Sequence, residues 1–169
     1  MVNVVIEEAT ARASAAAGGV LDPEVPVLTI ADLGVLRDVT VDPAGRVVVT
    51  VTPTYSGCPA MEVIRRDVED AVHAAGFPDV EVRTVLSPAW TTDAMTEHGR
   101  QALLDYGIAP PPPQRRGSSS VPVLVSLSVR CPQCGSPDTR ELSRFGSTAC
   151  KSMWACNSCL EPFDHFKAF

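Results

Sequence analysis

Cys131-Pro132-Gln133-Cys134 and Cys156-Asn157-Ser158-Cys159 form two Cys-x-x-Cys pairs separated by 21 residues. A tight turn at each pair aims two sulfurs at one point, so the spacing predicts two knuckles closing one tetrahedral four-sulfur site. The gap is one residue beyond the usual zinc-ribbon window, and a surface loop absorbs such an insertion at little entropic cost. The start of the chain has no basic region followed by an apolar core, so it does not read as a secretion signal. A cytoplasmic, reducing setting is therefore expected, which favours metal binding over paired disulfides or a redox pair. Residues 123–169 are too few to bury a sufficient core alone, and a metal would supply the missing stabilisation. Zinc in a structural role is expected, because all four positions are filled and none stays open for catalysis. Mononuclear iron in the same shell is the alternative that the spacing leaves standing.

Charge divides the chain in a second way. Residues 1–109 carry sixteen acids and seven Arg, net −9, while residues 110–169 carry four acids and seven bases, net +3, giving −6 overall. Between them a run of four prolines leads into Gln-Arg-Arg-Gly-Ser-Ser-Ser, a stiff piece followed by a flexible one. The expected organisation is an α+β domain over 1–109, a linker over 110–122 and a four-cysteine ribbon over 123–169. An acidic balance argues against nucleic acid as a partner. No apolar run approaches the roughly 20 residues needed to span a bilayer.

Within the first domain, Val2, Val5, Ile6, Ala9, Ala13 and Ala16 recur at helical spacing before Gly18-Gly19. Val35–Val41 and Arg46–Thr52 are β-rich and flank Asp42-Pro43-Ala44-Gly45, a type I turn signature, so a hairpin is expected. Met61, Ile64, Val68, Ala71, Val72 and Ala75 line one face of a second helix, and Val80–Leu86 reads as a third strand. A third helix is expected from about Thr91, with Met95, Leu103 and Tyr106 pointing inward. The order α-β-β-α-β-α makes an α+β domain with helices packed on one mixed sheet.

Candidate chemistry in that domain centres on Cys58. Pro59 suits the first helical position, which puts Cys58 at the N-cap, where unpaired N–H groups and the helix dipole favour a thiolate. The competing reading is a small residue that caps a helix and packs. Asp22, Glu24 and Asp32 lie in a loop, where Asp commonly caps turns. Trp90 reads as a core residue. No two-histidine zinc-protease motif, paired Glu-x-x-His helices or glycine-rich phosphate loop is present in the sequence. In the ribbon, Cys150 reads as a buried small residue or as an alternate ligand of an iron–sulfur cluster, and His165 as a surface residue between packing Phe163 and Phe166.

The segments Asp22-Pro23-Glu24-Val25-Pro26, Asp32-Leu33-Gly34 and Thr52-Pro53-Thr54-Tyr55-Ser56-Gly57-Cys58-Pro59 resemble the iron–sulfur assembly domain family of SufT-type proteins. With Leu86-Ser87-Pro88-Ala89-Trp90-Thr91-Thr92-Asp93 and Phe145-Gly146-Ser147-Thr148-Ala149-Cys150-Lys151 inside a four-cysteine ribbon, the chain is similar from Asp22 to Phe166 to the PaaD (PaaJ) family. These are accessory subunits of the bacterial phenylacetyl-CoA 1,2-epoxidase system. The resemblance implies a subunit that is not an enzyme by itself and that assists iron–sulfur or iron-centre assembly. Its implied partners are the other epoxidase subunits or iron–sulfur carrier proteins, with a homo-oligomer as a further expectation. It also implies that Cys58 is the thiol carrying iron or a cluster, with Asp22, Glu24 and Asp32 around it. A permanent structural subunit of the oxygenase without carrier chemistry is the alternative.

Overall fold

The computed structural model describes residues 2–112 and 129–167, which fall into two compact units, Met1–Gly99 and Arg100–Phe169. Among the described residues no helix is long and apolar enough to cross a membrane.

In the first unit, alternation builds the sheet and helical spacing covers it. Strands β1 (Leu36–Val41) and β2 (Val47–Val51) pair antiparallel, with Val39 opposite Val49 and Val41 opposite Val47. Strand β3 (Val80–Thr84) joins β2 in parallel, giving the mixed order β1-β2-β3. Val39 and Val41 on β1 and Val47, Val49 and Val51 on β2 are buried, one residue in two, as a half-covered sheet requires. Helix α2 (Ala60–Ala74) turns Ala60, Ile64, Val68 and Val72 inward, each four residues after the last. Helix α1 (Val2–Gly18) contributes Ala13 and Ala17, whose small side chains let it lie close to its neighbours. The hairpin turn is held by Asp42, whose Oδ1 accepts the N–H groups of Ala44 and Arg46 at 2.9 and 3.0 Å.

The loop between α1 and β1 is part of the core. Val25, Leu28, Ile30, Leu33 and Val35 are all at most 1 % exposed. Each such side chain is worth roughly 1.5–3 kcal/mol of burial, so this segment stabilises as a strand would. Its backbone is satisfied locally: Asp22 N–H donates to Leu28 O, Ile30 N–H to Val20 O, and Val35 N–H to Ile30 O, at 2.8–2.9 Å. The buried Trp90 closes the same core and donates its indole N–H to Leu33 O at 2.9 Å. Gly34 is irreplaceable by geometry, since its φ is +74° and a Cβ there would stand 2.4 Å from Ala94 O.

The third helix differs from the sequence expectation. A short 3-10 turn (Thr92–Ala94) is followed by extended backbone at Met95, and α3 runs only over Glu97–Asp105. Thr96 separates the two by capping: its Oγ1 accepts the Gly99 N–H at 3.0 Å while its own N–H donates to Asp32 O at 2.8 Å. Met95 and Leu103 are buried, as expected, but Tyr106 is 59 % exposed.

The second unit contains a four-stranded sheet in the order β4-β7-β6-β5. Strands β5 (Thr139–Ser143), β6 (Lys151–Cys156) and β7 (Pro162–Phe166) form an antiparallel meander. Ile108–Ala109, assigned from sequence to the first domain, form β4 and pair in parallel with Asp164–His165 of β7. From Pro113 onward the expected linker lies outside the described residues.

Gly34→Ala should lower stability by more than about 2 kcal/mol, combining left-handed backbone strain with overpacking. Gly45→Ala has a similar φ of +88° but open space around it. It should cost only about 1–2 kcal/mol. Urea denaturation of the two variants checks the difference.

Candidate functional site

Two sulfur sites lie in separate units. In the second, Cys131 and Cys134 occupy one knuckle and Cys156 and Cys159 the other, and all four Sγ atoms lie within 4.8 Å of one another. The Cys131–Cys159 and Cys134–Cys156 sulfur separations are 3.7 and 3.6 Å. Four thiolates around one zinc at 2.3 Å stand about 3.8 Å apart, so the donor set fits a tetrahedral S4 ion. Both knuckles close in the same way. Cys131 O accepts the Gly135 N–H at 2.9 Å, and Cys156 O accepts the Leu160 N–H at 3.0 Å. Each closing residue is left-handed, Gly135 at φ 72° and Leu160 at φ 67°. A leucine in that position carries a strain that a glycine avoids.

The knuckles are tied to each other as well as through sulfur. Ser136 and Ser158 hydroxyls meet at 2.8 Å, and Asn157 donates from its side chain to Asp138 Oδ1 at 2.8 Å. The N–H groups of Cys159 and Ser158 point at the Cys156 sulfur and, despite burial, pull its pKa down to about 6. At Cys159 the Glu161 N–H lowers the thiol, but burial and the neighbouring sulfurs together outweigh it and push it up to about 12. The sulfurs cannot all ionise together unless a cation sits among them. Cys131 and Cys156 also build the apolar core of this unit, with Ala109 and Phe163.

Cys150 lies outside the group of four sulfurs. It is buried, with its sulfur 3.0 Å from Thr148 Oγ1. His165 is a correction to the sequence reading. It is not a surface residue: its ring packs edge-on to Trp154 at 5.9 Å, its Nδ1 meets Ser152 Oγ at 3.3 Å, and burial lowers its pKa to about 4. The physical reason is strand pairing, which opposes His165 to Ser152 across the β6–β7 ladder. Phe163 and Phe166 are buried, as expected.

In the first unit, Cys58 ends the loop that joins β2 to α2. Gly57, at φ 85°, turns the chain, and Pro59 with helical backbone angles stands at the N-cap. The cap is thus one residue later than the sequence reading placed it. The Cys58 sulfur accepts the Ala60 N–H and interacts with Tyr55, yet its thiol is raised above its ordinary value. Burial is the main cause, followed on the raising side by the negative charges of Glu24 and Asp22. The expectation of a stabilised thiolate is therefore overturned: two carboxylates and a half-buried position outweigh the helix N-terminus. Arg65 makes its ion pair with Glu62, at 3.1 Å.

The three loop carboxylates have different fates. Asp22 and Glu24 both act on Cys58 electrostatically, and Asp22 Oδ1 also accepts the N–H groups of Glu24 and Val25 at 2.8 Å. Asp32 belongs to another cluster, accepting from Thr29 and Thr96 hydroxyls at 2.8 Å and meeting His98 Nδ1 at 3.0 Å. Burial raises its pKa, but the hydrogen bonds from Thr96, His98 and Thr29 outweigh this and leave the group lowered. The sequence reading missed this Asp32–His98 pair, because residues 66 apart in the chain give no local signal of contact.

These features define a class: an iron–sulfur assembly fold carrying one loop cysteine, joined in the same chain to a zinc-ribbon-like sheet with four. Residues 10–86 match the family described as iron–sulfur cluster assembly protein, and residues 116–167 match the PaaD zinc beta ribbon domain. An Escherichia coli K12 protein named as a candidate 1,2-phenylacetyl-CoA epoxidase subunit is 49 % identical over 86 % of this chain and 85 % of its own length. The Bacillus subtilis Fe-S protein maturation auxiliary factor YitW is 39 % identical over 50 % of this chain and 82 % of its own. A Bacillus anthracis domain of unknown function, DUF59, superposes with TM-score 0.56 and 30 % identity over 60 % of this chain and 96 % of that one. The chain belongs to the PaaD family of phenylacetyl-CoA epoxidase subunits.

Alkylation of Cys58 by iodoacetamide, followed by peptide mass mapping, should be slow at pH 7 and still rising above pH 9. Glu24→Gln removes one of the charges that hold the thiol protonated, so it should shift that profile to lower pH.

Proposed function

We propose that this protein is a non-catalytic maturation subunit of a multicomponent phenylacetyl-CoA 1,2-epoxidase in aerobic phenylacetate degradation. Its cargo is iron or an iron–sulfur cluster bound for the epoxidase system. The observation that carries the reading is Cys58, a half-buried thiol on a loop of an iron–sulfur assembly fold. It is supported by relatives that are themselves named Fe-S protein maturation auxiliary factors and by one named for the epoxidase.

The raised thiol pKa suits transient carriage. At neutral pH Cys58 keeps its proton, and an arriving metal ion displaces that proton to solvent as the sulfur coordinates. Binding is then weaker than to a preformed thiolate by the free energy of deprotonation, which favours release to a client. Asp22 and Glu24 would place negative charge beside the bound cation, while Asp32 orders the loop from a separate cluster. The ribbon cysteines Cys131, Cys134, Cys156 and Cys159 would hold a structural zinc, with Cys150 as a packing residue. The parts would be arranged as a carrier domain ending near Gly99 and a ribbon unit that takes in β4 (Ile108–Ala109), with the expected linker over 110–122 between β4 and the rest of the ribbon. Working partners would be other epoxidase subunits or cytoplasmic iron–sulfur carriers.

The same raised pKa favours one competing reading, a permanent structural subunit in which Cys58 does no chemistry. Cys58→Ala separates the two. On the maturation reading the variant should fold normally and retain zinc, while epoxidase activity in cells and growth on phenylacetate fall at least tenfold. Unchanged growth would select the structural reading.

Zinc can be checked independently of activity. Cys134→Ser should leave well under one zinc per chain by metal analysis, and the ribbon amide signals should collapse. Iron in place of zinc in the parent protein would instead give the visible absorption of a ferric tetrathiolate.

A further inference from the structure

One face of the ribbon sheet holds a depression that no sulfur ligand enters. Its volume is about 380 Å³, and Glu141, Arg144, Phe145, Ser152, Trp154, His165 and Lys167 line it. Strand alternation explains the gathering. Ser152 and Trp154 share a face of β6, with His165 opposite the first and Glu141 opposite the second. Arg144 and Phe145 come from the turn between β5 and β6.

The floor is a polar relay with one end unsatisfied. Trp154 donates its indole N–H to Ser152 Oγ at 3.0 Å. The same hydroxyl meets His165 Nδ1 at 3.3 Å. The other ring nitrogen, Nε2, is a buried atom with no hydrogen-bond partner among the described residues.

The rim is apolar and cationic at once. Phe145 is 73 % exposed, with the Lys167 ammonium 5.3 Å from its ring centroid. Lys167 also donates to Arg144 O, at 3.3 Å. The Arg144 guanidinium pairs with no carboxylate among the described residues. The turn carrying these groups is pinned, because Gly146 N–H donates to Lys151 O at 2.8 Å and Asp164 meets both Ser147 Oγ and the buried Lys151 ammonium, at 3.3 and 3.7 Å. An exposed phenyl ring held on a fixed turn beside Arg is the composition of an interface anchor, since aromatic residues and Arg carry most binding energy at protein contacts.

We propose that this face docks an acidic segment of a partner protein that also presents an aromatic side chain. The aromatic group would fill the space between Phe145 and Trp154, and the carboxylates would answer Arg144 and Lys167, which outnumber Glu141. A polypeptide is favoured over a small molecule because the depression is at the low end of small-ligand pocket volumes and opens widely to solvent. The site is separate from Cys58, so it stands whether or not that residue carries metal.

The test is photocrosslinking of the full-length, zinc-loaded chain in its native host, with Phe145→p-benzoylphenylalanine on the rim and Met153→p-benzoylphenylalanine as the control. Met153 lies between Ser152 and Trp154 on the strand and therefore faces the other way. The expected result is an adduct from position 145 alone, mapping to a peptide with at least two carboxylates within five residues of an aromatic side chain. Arg144→Glu should reduce its yield at least fivefold, Arg144→Lys should largely retain it, and both variants should keep the zinc content of the parent. Adding Cys58→Ala should leave the yield unchanged, which separates this test from that of the maturation reading. The proposal is overturned by no polypeptide adduct, by equal adducts from both positions, by a basic mapped segment, or by indifference to Arg144→Glu.

Discussion

Four sulfurs gathered within 4.8 Å cannot all be anionic unless a cation lies among them, and cannot all be neutral without losing what brings them together. The second unit is organised around that constraint. Its strands are short, and two of the four buried residues in its apolar cluster are Cys131 and Cys156 of the sulfur group. A sheet of this size has too little interior to offset its own conformational entropy, so an ion held by the four sulfurs would be a structural member in the way a hydrophobic core is elsewhere. Leu160 illustrates the strength of the demand: the second knuckle needs a left-handed residue, and the chain accepts a leucine there at a cost in strain.

The first unit solves its stability by ordinary means and needs no metal for it. A valine-rich mixed sheet, two helices and a loop that buries five large side chains supply the core. That frees Cys58 from structural duty. The environment around it is unlike a reactive-cysteine site, since negative charge and burial both oppose the thiolate. Such a sulfur is a poor nucleophile, and a proton and a metal ion would compete for it.

A division of labour follows between the two units. One gathers four sulfurs that fit a metal ion and offers a sheet whose outer face carries an exposed aromatic and two cations. The other keeps a single half-buried thiol on a loop, raised above its ordinary pKa by burial and by Glu24 and Asp22.

How far the chain could be read depended on the range of each interaction. Two Cys-x-x-Cys pairs announce a metal site because a knuckle is local, needing only four residues and a turn. The hairpin and the face of α2 were legible for the same reason, through turn chemistry and hydrophobic period, whereas on α1 the expected Val5 is exposed and Ala17, not Ala16, is fully buried beside Ala13. The break between the 3-10 turn and α3 was not, because Thr96 caps α3 while anchored to Asp32, far back in the chain. Nor was the raised Cys58 thiol, since the helix end is visible in sequence but the approach of Asp22 and Glu24 is a tertiary event. His165 was misread for a related reason: its place between Phe163 and Phe166 does not show that it opposes Ser152 across the ladder and packs its ring on Trp154. Sequence alone therefore determined which elements form and which sulfurs converge, both short-range matters of spacing. Only the folded chain decided which charges face Cys58 and which side chains share the ribbon's open face, because electrostatics and burial act through space and ignore the order of residues.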